Sequence, residues 1–147
     1  MRVLGISGSL RRGSHNTKLL RAAGEIVERH GGRFELFDGL RAIPPYDEDD
    51  DVGAGPCAVA KLRRAIADAD AVLFATPEYN SSIPGALKNA VDWASRPRGA
   101  AAMAGKPAAV LGASGSPNAA KWAREDGVKV LRVAGADVID ATVGVGS

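Results

Sequence analysis

A single cysteine, Cys57, stands in this chain of 147 residues, so no internal disulfide can form and stability must come from a buried apolar core. That usage fits a reducing compartment, and a cytoplasmic location is the expectation. Cys57 precedes a helix-like stretch among alanines and a valine, where a small buried hydrophobe is favoured over a nucleophile. Neither sign of charge is in excess. The net charge of +2 gives no support to a nucleic-acid or membrane-surface role. No apolar run approaches bilayer-spanning length, and the N-terminus has no secretory h-region. No repeat or linker interrupts the chain, so residues 1–147 are expected to form one domain.

Two familiar phosphate motifs are also missing. Gly8 and Gly13 have the spacing of a P-loop, but Ser14-His15 stands where Lys-Ser/Thr is needed, which removes the machinery for triphosphate hydrolysis. No Gly-x-Gly-x-x-Gly follows the first strand-like run, so a dinucleotide pyrophosphate turn is disfavoured. What does occupy this place is Gly8-Ser-Leu-Arg-Arg-Gly-Ser-His-Asn-Thr17, between an apolar run and a helical pattern. Free N–H groups at a helix start favour an anion. Ser9, Ser14, Asn16 and Thr17 add neutral donors, and Arg11 and Arg12 add forked cations. A lone cap at Ser14 or Asn16 would explain less of this composition. A monophosphate is the expected ligand.

Strand-like and helix-like stretches alternate along the chain. Strands are expected at 3–6, 34–37, 71–75, 108–111 and from 138, with helices at 16–30, 58–69, 84–95 and 118–134. Ala71-Val-Leu-Phe-Ala75 is wholly apolar and reads as a central strand covered on both faces. Such alternation implies a parallel, doubly wound α/β sheet, whose ligands bind beyond the carboxyl ends of the strands. Loops 8–15, 77–83 and 113–117 would meet there.

The second loop, Pro77-Glu-Tyr-Asn-Ser-Ser-Ile-Pro84, sets an aromatic ring among amides and hydroxyls, suited to a flat heteroaromatic ligand or, equally, to a turn capping the next helix. The third, Gly112-Ala-Ser-Gly-Ser-Pro117, is small enough for close backbone approach, though a plain turn explains it alone. The acidic run Asp47–Asp51 lacks the alternate ligand spacing of a calcium loop and reads as solvated. His30, at a helix end, suits the dipole there.

Gly8-Ser-Leu-Arg-x-x-Ser-x-Asn16, taken with Pro-Glu-Tyr-Asn-x-Ser-x-Pro-Gly-x-Leu-Lys-Asn-Ala-x-Asp-Trp from Pro77 to Trp93, resembles the NADPH-dependent FMN reductases, which include flavin, quinone, azo-dye and chromate reductases. The resemblance runs from Met1 to about Gly146 and takes in Tyr46. It implies a flavodoxin-like five-stranded sheet of order 2-1-3-4-5, FMN as cofactor and NADPH or NADH as donor. By the same resemblance Ser9, Arg11, Ser14, Asn16 and Thr17 hold the FMN phosphate. Pro77, Glu78, Tyr79, Asn80 and Ser81 line the ribityl chain and ring, and Ser114 and Gly115 reach the ring from the third loop. His15 has no implied role. Hydride transfer through a cofactor needs no catalytic side chain, and none is expected. The partner is a small-molecule acceptor, and a homodimer or homotetramer is implied, with Leu87, Val91 and Trp93 assigned to packing or subunit contact. A final helix, usual in the family, has no counterpart after Val143, which leaves part of one sheet face uncovered. The alternative is a flavodoxin-type FMN carrier or sensor without NAD(P)H turnover; such carriers are strongly acidic, and +2 argues against it.

Overall fold

The apolar runs become strands because each is too short for a stable helix and is flanked by glycine, proline or polar turns. In the computed structural model, which describes residues 1–147, they pair in parallel as β1 (Arg2–Ser7), β2 (Arg33–Phe37), β3 (Ala71–Ala75), β4 (Pro107–Ala113) and β5 (Asp137–Val138). Their order is β2-β1-β3-β4-β5, the 2-1-3-4-5 order that the resemblance implies. Four helices connect them: α1 (His15–Arg29), α2 (Cys57–Asp68), α3 (Gly85–Ala94) and α4 (Lys121–Val133). None is long and apolar enough to cross a membrane.

The last strand departs from expectation. Residues 139–142 loop out opposite Ala109 and Val110, and the chain rejoins the same edge of β4 as β6 (Val143–Val145), pairing Leu111 with Val143 and Ala113 with Val145. Asp140 in this excursion is ion-paired with Arg132, and Thr142 is held by Arg124. Two short strands thus replace one, because polar partners on α4 pull the intervening residues out of the ladder. Ile139, Val143 and Val145 stay half exposed along this edge.

One face of the sheet carries most of the core. Leu4, Ile6, Val72, Phe74 and Val110 project from the strands onto Val59, Leu62 and Ile66 of α2, Leu87, Val91 and Trp93 of α3, and Leu131 of α4. Leu87, Val91 and Trp93 are buried within this one chain, so they serve packing and are unavailable to a subunit contact. The opposite face is covered by α1. There the Phe34 ring sits in a notch that only glycines leave open: a Cβ on Gly24 would lie 2.3 Å from the ring, and one on Gly5 2.5 Å from it.

The long segment between β2 and α2 is pinned to α3. Trp93 Nε1 and Asn89 Nδ2 both donate to the Pro44 carbonyl at 2.8 Å, and the Tyr46 ring meets Trp93 edge-on at 4.7 Å. Tyr46 is therefore a packing residue in this chain. The acidic run is not uniformly solvated either. Asp51 pairs with Arg63 at 2.9 Å, both side chains nearly buried, because Arg63 is already fixed by two hydrogen bonds to the Trp93 carbonyl. Cys57 is exposed rather than buried, since the first residue of α2 faces solvent.

Candidate functional site

Parallel strands place their carboxyl ends on one rim, and the three suspected loops meet there. Ser9, Arg11, Ser14, His15 and Asn16 from the first loop, Pro77, Glu78 and Tyr79 from the second, and Ala113, Ser114 and Gly115 from the third line one cleft of about 330 Å³. That places residues 9–16 within reach of 77–79 through a single ligand. Thr17, Asn80 and Ser81 lie outside its lining.

The first loop is a cap with donors to spare. Ser14 is buried, and its hydroxyl accepts from the Thr17 amide at 3.2 Å, which starts α1 one residue earlier than the apolar spacing predicts. The Thr17 hydroxyl turns inward and donates to Ser7 at 3.1 Å, which explains its absence from the cleft. The amides of His15 and Asn16 donate to no protein acceptor. These are the orphan donors of the first helical turn, with the positive end of the helix dipole behind them. Arg11 stands at the rim, its Nη2 donating to the Gly13 carbonyl at 3.0 Å. Arg41 braces the loop from behind, donating to the Leu10 carbonyl at 2.9 Å.

Asn16 has a different task from the one its position suggests. Its side-chain amide is buried and makes two hydrogen bonds to the end of β4: Nδ2 donates to the Ala113 carbonyl at 3.0 Å, and Oδ1 accepts from the Ala113 amide at 2.8 Å. The side chain welds the first loop to the third, leaving its backbone N–H for a ligand.

In the second loop, Tyr79 and Ser82 exchange backbone hydrogen bonds of 3.0 and 3.1 Å around Asn80 (φ 51°) and Ser81 (φ 62°). Two positive φ values in a two-residue loop are the type I′ pattern, and neither residue of this turn lines the cleft. Ser81 faces a separate depression beside Trp122 on α4. Tyr79 remains at the mouth of the cleft with 53% of its surface exposed. The Glu78 carboxylate, the one acidic group of the lining, accepts from Asn118 Nδ2 at 3.2 Å and from the Ala123 amide at 3.0 Å. It caps α4 and so ties the second loop to the third. Below the hairpin, Asp126 accepts from the Ser82 hydroxyl. The hydrogen bond from Lys129 and then that from Ser82 hold its carboxyl below the ordinary value, against a smaller opposing effect of burial.

The third loop runs longer than the helical pattern predicts. Ala119 (φ 52°) and Ala120 (φ 57°) adopt left-handed backbone, so α4 begins at Lys121 instead of 118. The Ser114 amide donates to the Val145 carbonyl at 3.0 Å, while that of Gly115 has no protein partner. The Glu78 amide has none either. His15 and Ala113 line the cleft within the expected loops 8–15 and 113–117, though the sequence assigns neither a role.

This donor set fits a flavin mononucleotide. Four amides from three loops lack protein acceptors, a guanidinium and hydroxyls stand beside the helix start, and the only carboxylate is engaged elsewhere. No group of three His, Cys, Asp or Glu side chains is arranged to hold a metal ion.

Fold and cleft together define a flavodoxin-like α/β protein whose cleft at the strand carboxyl ends suits a mononucleotide. The chain belongs to the NADPH-dependent FMN reductase family, whose model matches residues 1–147. It is 54% identical over 114 residues to an NAD(P)H-dependent FMN reductase of Pseudomonas aeruginosa, covering 78% of this chain and 60% of that protein. To a 2-hydroxy-1,4-benzoquinone reductase of Burkholderia it is 42% identical, covering 78% of this chain and 61% of the other. It superposes on FerB, a flavoenzyme NAD(P)H:(acceptor) oxidoreductase of Paracoccus denitrificans, with a TM-score of 0.87 and 38% identity, covering 95% of this chain and 75% of that one. The chain spans about three fifths of the length of the curated relatives it matches.

Proposed function

We propose that residues 1–147 form one FMN-binding unit that oxidises NADPH or NADH and reduces a small acceptor, such as a flavin, quinone, azo dye or chromate. The carrying observation is the set of unpaired amides of His15, Asn16, Glu78 and Gly115 around one cleft. In this reading the first turn of α1, with Ser9 and Arg11, would hold the FMN phosphate. Glu78, Tyr79, Ser114 and Gly115 would hold the ring. Bound FMN supplies the hydride-accepting and electron-donating chemistry. The chain's own groups would bind and orient: the His15 and Asn16 amides would hold the phosphate, and the Glu78 and Gly115 amides, free of protein acceptors, would donate to the ring. The open mouth beside Tyr79 admits nicotinamide and acceptor in turn. The names of the reductase relatives support this activity, and the near-neutral charge weighs against a docking electron carrier.

A cytoplasmic homodimer or homotetramer belongs to the same reading. A groove between α3 and α4 carries Val130 and an 85% exposed Val133 among Lys88, Asp92, Arg96 and Lys129, and in this reading it seats a second copy. Light scattering after size exclusion reads that state directly.

Apoprotein titrated with FMN and then mixed anaerobically with NADPH tests the activity. Rapid bleaching of the flavin band is expected; a flavin that binds yet stays oxidised would leave the carrier reading. Arg11→Ala should weaken FMN more than riboflavin, and equal loss for both would remove Arg11 from the phosphate.

A further inference from the structure

Arg124, on the first turn of α4, reaches between two strands in a way that packing alone does not require. Its Cγ and Cδ lie over Gly112 of β4, where a Cβ would come within 2.8 Å, and its guanidinium lies against Gly144 of β6, where a Cβ would come within 2.6 Å of Nη2. Neither glycine has a positive φ, so the backbone there would accept any residue. At both positions the nearest atoms to such a Cβ belong to the arginine, joined at Gly112 by the Ala120 Cβ at 3.1 Å, so a side chain at either glycine would push the arginine aside. Three elements are thus shaped around one side chain.

The guanidinium meets no carboxylate. Its Nε donates to the Ala119 carbonyl at 3.0 Å and its Nη1 donates to the Thr142 hydroxyl. The first bond holds the left-handed Ala119-Ala120 pair, a backbone conformation that residues with a Cβ rarely adopt. The second anchors the start of β6, whose Val145 carbonyl in turn accepts from the Ser114 amide. Loop 114–120 is therefore fixed at both ends through Arg124, and this loop carries the unpaired Gly115 amide.

We propose that Arg124 is a positioning residue for the ring end of the flavin, setting the shape of loop 114–120 without touching the ligand. The inference rests on the FMN reading above. Arg124→Met removes both donors and keeps the aliphatic stem; Gly144→Ala displaces the guanidinium from the other side and serves if the first variant does not fold. Arg132→Met is the matched control, because Arg132 also ties α4 to the same sheet edge, through Val138 and Asp140, without reaching loop 114–120.

Apoproteins checked by far-UV circular dichroism are titrated with FMN and with riboflavin, and the visible circular dichroism of the bound flavin is recorded. Arg124→Met and Gly144→Ala should each weaken both flavins by the same factor, about tenfold, the scale of one lost charge-assisted hydrogen bond. The bound-flavin dichroism should change, Arg124→Lys should not restore it, and Arg132→Met should match the parent. Parent affinity in folded Arg124→Met, an equal loss in Arg132→Met, or rescue by lysine would each overturn the proposal. A parent protein that binds neither flavin would instead refute the FMN reading itself.

Discussion

Asn16→Ala removes a side chain whose two polar atoms are both committed to Ala113, across 97 positions of sequence. The amide and Ala113 are both buried, so the substitution leaves the Ala113 N–H and C=O without partners. Each buried backbone group so stranded costs about 1–3 kcal/mol, and water entering from the adjoining cleft recovers part of it. The expected loss is about 3 kcal/mol. Over 147 residues that corresponds to a fall in Tm of about 10 °C. Asn16→Asp sharpens the test. One carboxylate oxygen still accepts from the Ala113 amide, while the other faces the Ala113 carbonyl and is repelled. Burial and that carbonyl favour the protonated acid, so the folded-state pKa lies above the unfolded value of about 4. A raised pKa contributes stability that is full below the unfolded value and is lost as pH rises through the folded one. The variant should therefore stand closest to the parent in acid and fall behind towards neutrality. Urea denaturation of apoprotein between about pH 3.5 and 7.5 measures both effects. A loss under about 1 kcal/mol for the alanine variant, or a gap for the aspartate variant that widens in acid, would refute the reasoning.

Gly127→Ala should stabilise: the new Cβ meets Val110 and Ile83 at 3.5–3.8 Å, ordinary contact distance, and a glycine inside a helix gives up about 1 kcal/mol, or roughly 3 °C by calorimetry. Ser81→Gly relieves a left-handed serine at φ 62° and should gain about 0.5 kcal/mol. Its FMN affinity should equal the parent's; a drop would return the Ser81 side chain to the site. Asp126→Asn should be less stable than the parent at neutral pH, because Lys129 and Ser82 both favour the charged form. A depressed pKa contributes stability above the unfolded value of 3.8 that disappears as pH falls through the folded one, so the two proteins should converge in acid. A difference independent of pH would place the effect elsewhere.

The strand order and the helices were legible because each apolar run keeps one period and ends on a turn residue, as Gly31-Gly32 and Pro84 do. The boundaries that failed have identifiable causes. The helix expected from 118 begins at 121 because the Asn118 side chain accepts from the Ala120 amide and the two alanines turn left-handed, and nothing in an Ala-Ala pair signals that. The split of the last strand depends on Arg132 and Arg124 reaching Asp140 and Thr142 from another element. The motif left Trp93 open between packing and subunit contact; the Pro44 carbonyl gives the indole a partner and lets it enter the core.

The site shows a further limit of reading residue types. A loop rich in hydroxyls and amides suggested that side chains hold the ligand, and the three most deeply placed of them are occupied otherwise: Ser14 with the Thr17 amide, Thr17 with Ser7, Asn16 with Ala113. Glu78 repeats the pattern from the second loop, satisfying the Ala123 amide of α4. These bonds hold the three rims at fixed separation, so the unpaired amides do not close on one another when no ligand is bound. Substituting such a side chain should then move stability and ligand affinity together, whereas Arg11 at the rim should move affinity alone. That contrast, measured on apoprotein for Asn16→Ala against Arg11→Ala, separates a cradle built of backbone from one built of side chains.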